Sequence, residues 1–321
     1  MPIAKEFTTI QDRIKILENR NLKFRNKEKA VKILQKYNYF DVINGFESIL
    51  LKKNTKNKEF ENVYFEDFYD LYKFDLALKK HTFFFILDVE SRMRTSISYH
   101  FTKENCATIA DTLNYLDPLY YQAPCSSNKH LTNVFTNFEL FRKQQVNNKG
   151  RVVKKAYIDA LKNEVNYIKQ YNDPPFWVTI KKVPFGTLYY IYLFLTQKVQ
   201  EEVLNDFEFD INDNNAFQQA VFILKEMRNQ CAHLELVTRF RLKRVKTMNY
   251  FNEITKLSNL TQTEIYYIDV MKIFKQFGSI TRIKLTIFSF YIKMVLKGRK
   301  HIADTILGKM GRKNIFDWLK L

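Results

Sequence analysis

At 321 residues, with 46% hydrophobic and 16% aromatic side chains, the chain can fill a sizeable core and is not a disordered tail. Its 52 Lys and Arg against 34 Asp and Glu leave a net charge of +18, which makes a polyanion the expected partner. Seven glycines and six prolines are too few for phosphate-cradling loops or a many-turned β fold. Three cysteines without C-x-x-C spacing predict a reduced, cytosolic protein with no thiolate zinc site.

Residues 1–9 lack the apolar core of a targeting segment, so none is expected. A first helix is predicted near residues 9–19, opened by a capping box of Thr8 and Gln11 and carrying Ile10, Ile14 and Leu17 at helical spacing. A second follows Asn26, and the polar run Lys52 to Asn62 reads as a loop. From Phe68 to Ile97 the apolar positions predict one long helix or two consecutive ones, within a stretch from Phe46 to Asp117 that holds neither Gly nor Pro. Pro118, Pro124 and Gly150 mark irregular connections around a short Phe135, Phe138, Phe141 stripe. Helices are then expected over residues 156–170, 187–205 and 215–233, and the last 70 residues are helical and basic. Thr187 to Phe277 again lacks Gly and Pro, so the fold class is all-α. The apolar stretches Leu188 to Leu195 and Leu285 to Leu296 fall short of the roughly 20 residues a membrane span needs, and no membrane partner is expected.

The charge is clustered. Met271 to Lys313 carries eleven Lys or Arg and one acid, Arg142 to Lys155 six bases and no acid, and Asn205 to Asn215 four acids and no base. An A/T-rich coding sequence would raise lysine as well, but it would scatter the charge rather than group it into a field.

Arg228-Asn229-Gln230-Cys231-Ala232-His233 is an R-x4-H string on a predicted helix. Asn229 and His233, four apart, share a face, and Arg228 sits about 100° round from Asn229. Such a turn suits metal-free RNA cleavage. An imidazole with an ordinary pKa of about 6.5 can take the 2′-hydroxyl proton or protonate the leaving 5′-oxygen. The guanidinium can hold the charge growing on the phosphate, and the amide can orient the ring. One turn supplies one histidine, so acid and base together call for a second copy, which a two-fold dimer provides. The bare spacing arises by chance roughly 0.2 times in such a chain. From spacing alone, His233 reads equally as a helix histidine beside a core cysteine.

Gln219 to Glu235 resembles the signature of the Abi-type abortive infection proteins of the AbiD/AbiF group, whose R-N-x-C-A-H element places them among the HEPN ribonucleases. Three further stretches resemble that family in the same order: Leu71 to Leu78, the Asp88 to Thr95 helix with Glu90 and Arg94, and Trp177 followed by Pro184-Phe185-Gly186-Thr187-Leu188. The resemblance covers about residues 8–245. It implies a HEPN-like helical bundle with additional N- and C-terminal helices, homodimerisation, endoribonuclease activity in phage defence or toxin–antitoxin control, and association with a structured noncoding RNA. No cofactor and no metal are expected. On this reading residues 1–246 form the domain containing the motif and 247–321 a basic helical C-terminal extension.

Matching the motif residue by residue assigns Arg228, Asn229 and His233 the catalytic site. Leu234-Glu235-Leu236 departs from relatives that continue A-H-H or A-H-x-R-x-W, which puts the cleft rim in question. Glu90 and Arg94 are either a helix ion pair or support for the site. Arg239, Arg241, Lys243, Arg244 and Lys246 are expected to track RNA phosphates, with Arg151, Lys154 and Lys155 in the central connection and Arg299 and Lys300 in the tail. Phe288, Phe290 and Tyr291 read as core, as do Trp177, Phe185 and Leu188, with Gly186 serving a tight turn. Two rivals remain open: a HEPN scaffold that holds RNA without cutting it, and a protein-binding phage sensor.

Overall fold

A computed structural model describes residues 6–52, 57–243 and 264–321, and the chain is all-α. The helices are α1 (Ile10–Asn19), α2 (Lys27–Lys36), α3 (Gly45–Leu50), α4 (Phe65–Asn105), α5 (Lys129–Thr136), α6 (Tyr157–Glu164), α7 (Asn166–Lys169), α8 (Phe176–Thr179), α9 (Phe185–Phe194), α10 (Gln197–Asp206), α11 (Asn214–Ala232), α12 (Tyr267–Phe277), α13 (Thr281–Leu296), α14 (Lys300–Lys309) and α15 (Ile315–Leu319). Two short antiparallel pairs interrupt them: β1 (Gln145–Val146) with β2 (Val152–Lys154), and β3 (Leu242–Lys243) with β4 (Glu264–Ile265). Among the described residues no helix is long and apolar enough to cross a membrane.

Local chemistry sets several boundaries. The cap of α1 is Thr9 rather than Thr8: the Thr9 hydroxyl accepts from the Asp12 amide at 3.1 Å, while Thr8 accepts from Arg13 Nε. Asn26 caps α2 through Lys29, as the sequence predicts. The long apolar region is one helix, α4, of 41 residues. The predicted helix over 156–170 breaks at Val165 and the one over 187–205 at Leu195 and Thr196, where the backbone is extended.

The described residues pack as two units. The first gathers residues 6–85, 227–243 and 264–321; the second is Ile86–Glu226. Residues 264–321, set apart by the sequence reading as an extension, therefore fold together with the N-terminal helices. In the first unit Phe74 of α4 stacks on Phe290 of α13 with ring centres 4.0 Å apart, and Phe85 stacks on Phe274 of α12 at 4.7 Å. Tyr267 is fully buried and its hydroxyl meets Thr82 of α4 at 2.5 Å. In the second unit Tyr115 stacks on Phe176 and satisfies its buried hydroxyl on the Pro174 carbonyl at 2.9 Å. A small satellite core joins Leu161, Val165 and Ile168.

Candidate active site

The last turns of α11 are buried on one side through Met227 and Cys231, and this leaves Asn229 and His233 exposed on the other. Arg228 lies between them, half-buried. Burial pushes the Cys231 thiol up to about 12, so it stays protonated near neutrality and acts as a packing residue.

The helix ends at Ala232, within the motif, in a Schellman arrangement that places His233 at its C-cap. The Glu235 amide donates to the Gln230 carbonyl at 3.1 Å and the Leu234 amide to the Cys231 carbonyl at 3.2 Å, with Leu234 in the left-handed region at φ 59°. A leucine there costs about 1–2 kcal/mol, and the surroundings oppose its release. Lys79 of α4 donates its ammonium to the Leu234 carbonyl at 2.9 Å. Asp75, one turn earlier on α4, accepts from the Thr238 amide at 2.8 Å and the Thr238 hydroxyl at 2.7 Å, and stands 3.5 Å from Lys79. Gln230 adds a bond to the Leu236 carbonyl at 3.0 Å. The segment that follows His233 is thus fastened to α4 at both Leu234 and Thr238.

Asp75 and Lys79 are buried. Burial raises the Asp75 carboxyl above its ordinary value, against the opposing pull of the Lys79 charge and the Thr238 bonds. Neither residue has a role assigned from the sequence, although Asp75 lies within the Leu71 to Leu78 stretch and an acid four residues ahead of a lysine is visible there. On sequence alone that spacing reads as an ordinary surface pair. Leu236 packs against α3 so closely that a Cβ on Gly45 would meet its Cδ1 at 2.7 Å.

The remaining sequence-predicted residues separate into several groups. Glu90 and Arg94 belong to the second unit, where they form an ion pair and Arg94 donates to the Val183 carbonyl at 2.8 Å. That arrangement clamps the chain ahead of α9. Arg239 is exposed and bonds the Asn44 carbonyl at 3.2 Å. Arg241 donates to the Lys309 and Phe240 carbonyls and lies 4.2 Å over the Tyr266 ring. The backbone of Lys243 is in β3, while Arg244 and Lys246 lie outside the described residues. Arg151, Lys154 and Lys155 are exposed on the β1–β2 hairpin, with Lys154 3.8 Å from Glu139. Lys300 is exposed but paired with Asp304 at 2.8 Å.

Three readings require correction. Arg299 is buried, 3.4 Å from Asp67 and over the Tyr64 ring, so its guanidinium serves the fold rather than a phosphate. Trp177 and Phe288 are substantially exposed, not core. Gly186 lies inside α9, and a Cβ there would meet only Lys225 Cδ at 3.9 Å, so no tight turn explains it.

Among the described residues no group of three or more His, Cys, Asp or Glu is placed to hold a metal ion. No curated protein and no solved structure matches the chain. A sequence model of the family described as Abi-like protein matches residues 32–237, which include Asp75, Lys79 and the whole of Arg228 to His233. With well over half its length inside that match, the chain belongs to the Abi-like family, a family of abortive infection proteins that acts in phage defence.

Proposed function

We propose that the chain is a HEPN-type endoribonuclease acting on single-stranded RNA through Arg228, Asn229 and His233. The observation that carries this reading is the disposition of the motif. Asn229 and His233 stand exposed at the end of α11, and the turn behind them is held by a buried lysine and aspartate. Side chains fixed from below and open above suit a group that must meet a substrate in one geometry.

In the proposed reaction the 2′-hydroxyl attacks the adjacent phosphorus while the P–O5′ bond breaks. One His233 takes the 2′-hydroxyl proton, and the same histidine of a second copy protonates O5′. Arg228 and Asn229 stabilise the charge on the non-bridging oxygens. The products are a 2′,3′-cyclic phosphate and a 5′-hydroxyl, and the two-fold dimer supplies acid and base from one sequence. The net charge of +18 and the exposed Arg151, Lys154, Lys155 and Arg239 support RNA held beyond the cleaved bond, including a resident structured noncoding RNA.

End-group analysis after incubation with single-stranded RNA in EDTA tests the chemistry. Cyclic phosphate ends are expected. Exclusively 3′-hydroxyl ends would reject this mechanism. RNA that binds and is never cut would favour the scaffold reading instead.

A further inference from the structure

Helix α13 has two apolar faces. Ile283, Ile287, Phe290 and Met294 are buried, while Leu285, Phe288, Ile292, Val295 and Leu296 lie on the opposite side and are exposed, Leu285 by 57% and Leu296 by 82%. Their spacing of three and four residues is that of a helix-packing seam rather than of scattered surface leucines. Contiguous exposed apolar surface of this kind marks an interaction site.

The seam borders two depressions. One, of 540 Å³, runs between α13 and α4, with Phe74 and Ala77 on one wall and Leu285 and Phe290 on the other. The second, of 550 Å³, is lined by Phe288, Ile292 and Leu296. The two depressions share Ser289 and Lys293 and so run together along one side of α13, a trough that fits the side-chain ridge of another helix.

Charge defines the occupant further. Lys73, Lys293 and Lys297 all converge on one carboxylate, Asp70, whose side chain is buried, and Arg282 adds a fourth cation to the lining of the same depression. Three cations share one acid, and Arg282 extends the basic rim. Burial and the neighbouring Lys293 ammonium push the Lys73 amine below its ordinary value, a sign that the cations crowd one another.

We infer that the α4–α13 face docks an amphipathic helix of a partner protein, its apolar stripe set along Leu285, Phe288, Ile292 and Leu296 and its acidic residues against Arg282, Lys73 and Lys293. A second copy of this chain is disfavoured as the occupant, because a symmetric α13 pair would bring the basic Arg282 end of one helix against the basic Lys297 end of the other. An anionic bilayer offers a flat surface that leaves the two depressions unfilled. The inference stands whether or not His233 cleaves RNA.

The test is fluorescence anisotropy of a labelled synthetic helix, with leucines at heptad spacing flanked by glutamates, titrated with the full chain at low salt. Saturable binding is expected, about tenfold weaker for Ile292→Asp and for Arg282→Glu, and absent for a peptide with lysines in place of the glutamates. Ile292 and Arg282 are both exposed, and unchanged melting curves would show that the variants fold. Equal binding of acidic and basic peptides, or no effect of Ile292→Asp, would overturn the proposal. So would a dimer of the unmodified chain that Ile292→Asp dissociates, or flotation with phosphatidylserine vesicles in place of peptide binding.

Discussion

Leu234 takes up a left-handed conformation one residue after His233, with its side chain exposed, and so carries backbone strain without a packing return of its own. Leu234→Gly should raise stability by roughly 1 kcal/mol, read from denaturant midpoints. Lys79 tests the support of the same turn. Lys79→Met leaves the buried Asp75 without its counter-charge and should cost about 3 kcal/mol. The double variant Asp75→Asn, Lys79→Met should recover much of that stability, while the turnover rate stays low because the Leu234 carbonyl still lacks its donor. A turnover rate that recovers together with stability would reduce Lys79 to a purely structural residue. Gly311 is a separate case: at φ 123° a Cβ would lie 2.6 Å from Ile268 Cγ2 and 2.9 Å from Tyr266 Cβ. Gly311→Ala should cost about 2 kcal/mol or more in a melting experiment. The motif residues were legible because the side chains at issue are neighbours in sequence. Asp75 and Lys79 were not, since their partners Leu234 and Thr238 lie more than 150 residues away. Burial, not residue type, likewise separates Arg299 from Lys300.

At the scale of elements, the α4–α13 pairing joins the beginning and end of the described chain through Phe74, Phe290 and the Asp70 lysine cluster. Burial opposes ionisation of Asp70, but the Lys293 and Lys297 ammoniums outweigh it and hold its carboxyl below the ordinary 3.8. The tie therefore contributes fully above pH 3.8 and is lost as the pH falls through the lowered value. Denaturant titrations across acid pH should show that loss, and Asp70→Asn should flatten it. An unchanged acid profile in the variant would remove Asp70 from the account. Helices α1, α2 and α11 were readable because apolar periodicity and the absence of breakers agree along each of them, and the same signals placed α4 without deciding between one helix and two. The interruptions at Val165 and at Leu195–Thr196 were not, since neither site carries Gly or Pro to signal a bend. Nor did the sequence separate the two faces of α13: both are apolar, and only packing decides which is covered.

For the whole molecule, the family match spans 32–237, yet residues 264–321 fold into the same unit as residues 6–85 and 227–243, so the match ends partway through that unit. Composition exposed the excess of positive charge but not its use. Some of the basic residues pair with Asp67, Asp70 and Asp304 within the fold, while the hairpin residues Arg151 and Lys155 remain exposed. If RNA binds through such cations, its affinity should fall steeply with salt, by a log–log slope of about −0.7 for each phosphate neutralised. Everything proposed for the site turns on one imidazole, and comparing His233→Ala with the unmodified chain in EDTA on the same single-stranded RNA tests it. The variant should cleave about 10² to 10⁴ times more slowly with RNA affinity retained; cleavage at the unmodified rate would remove His233 from the reaction.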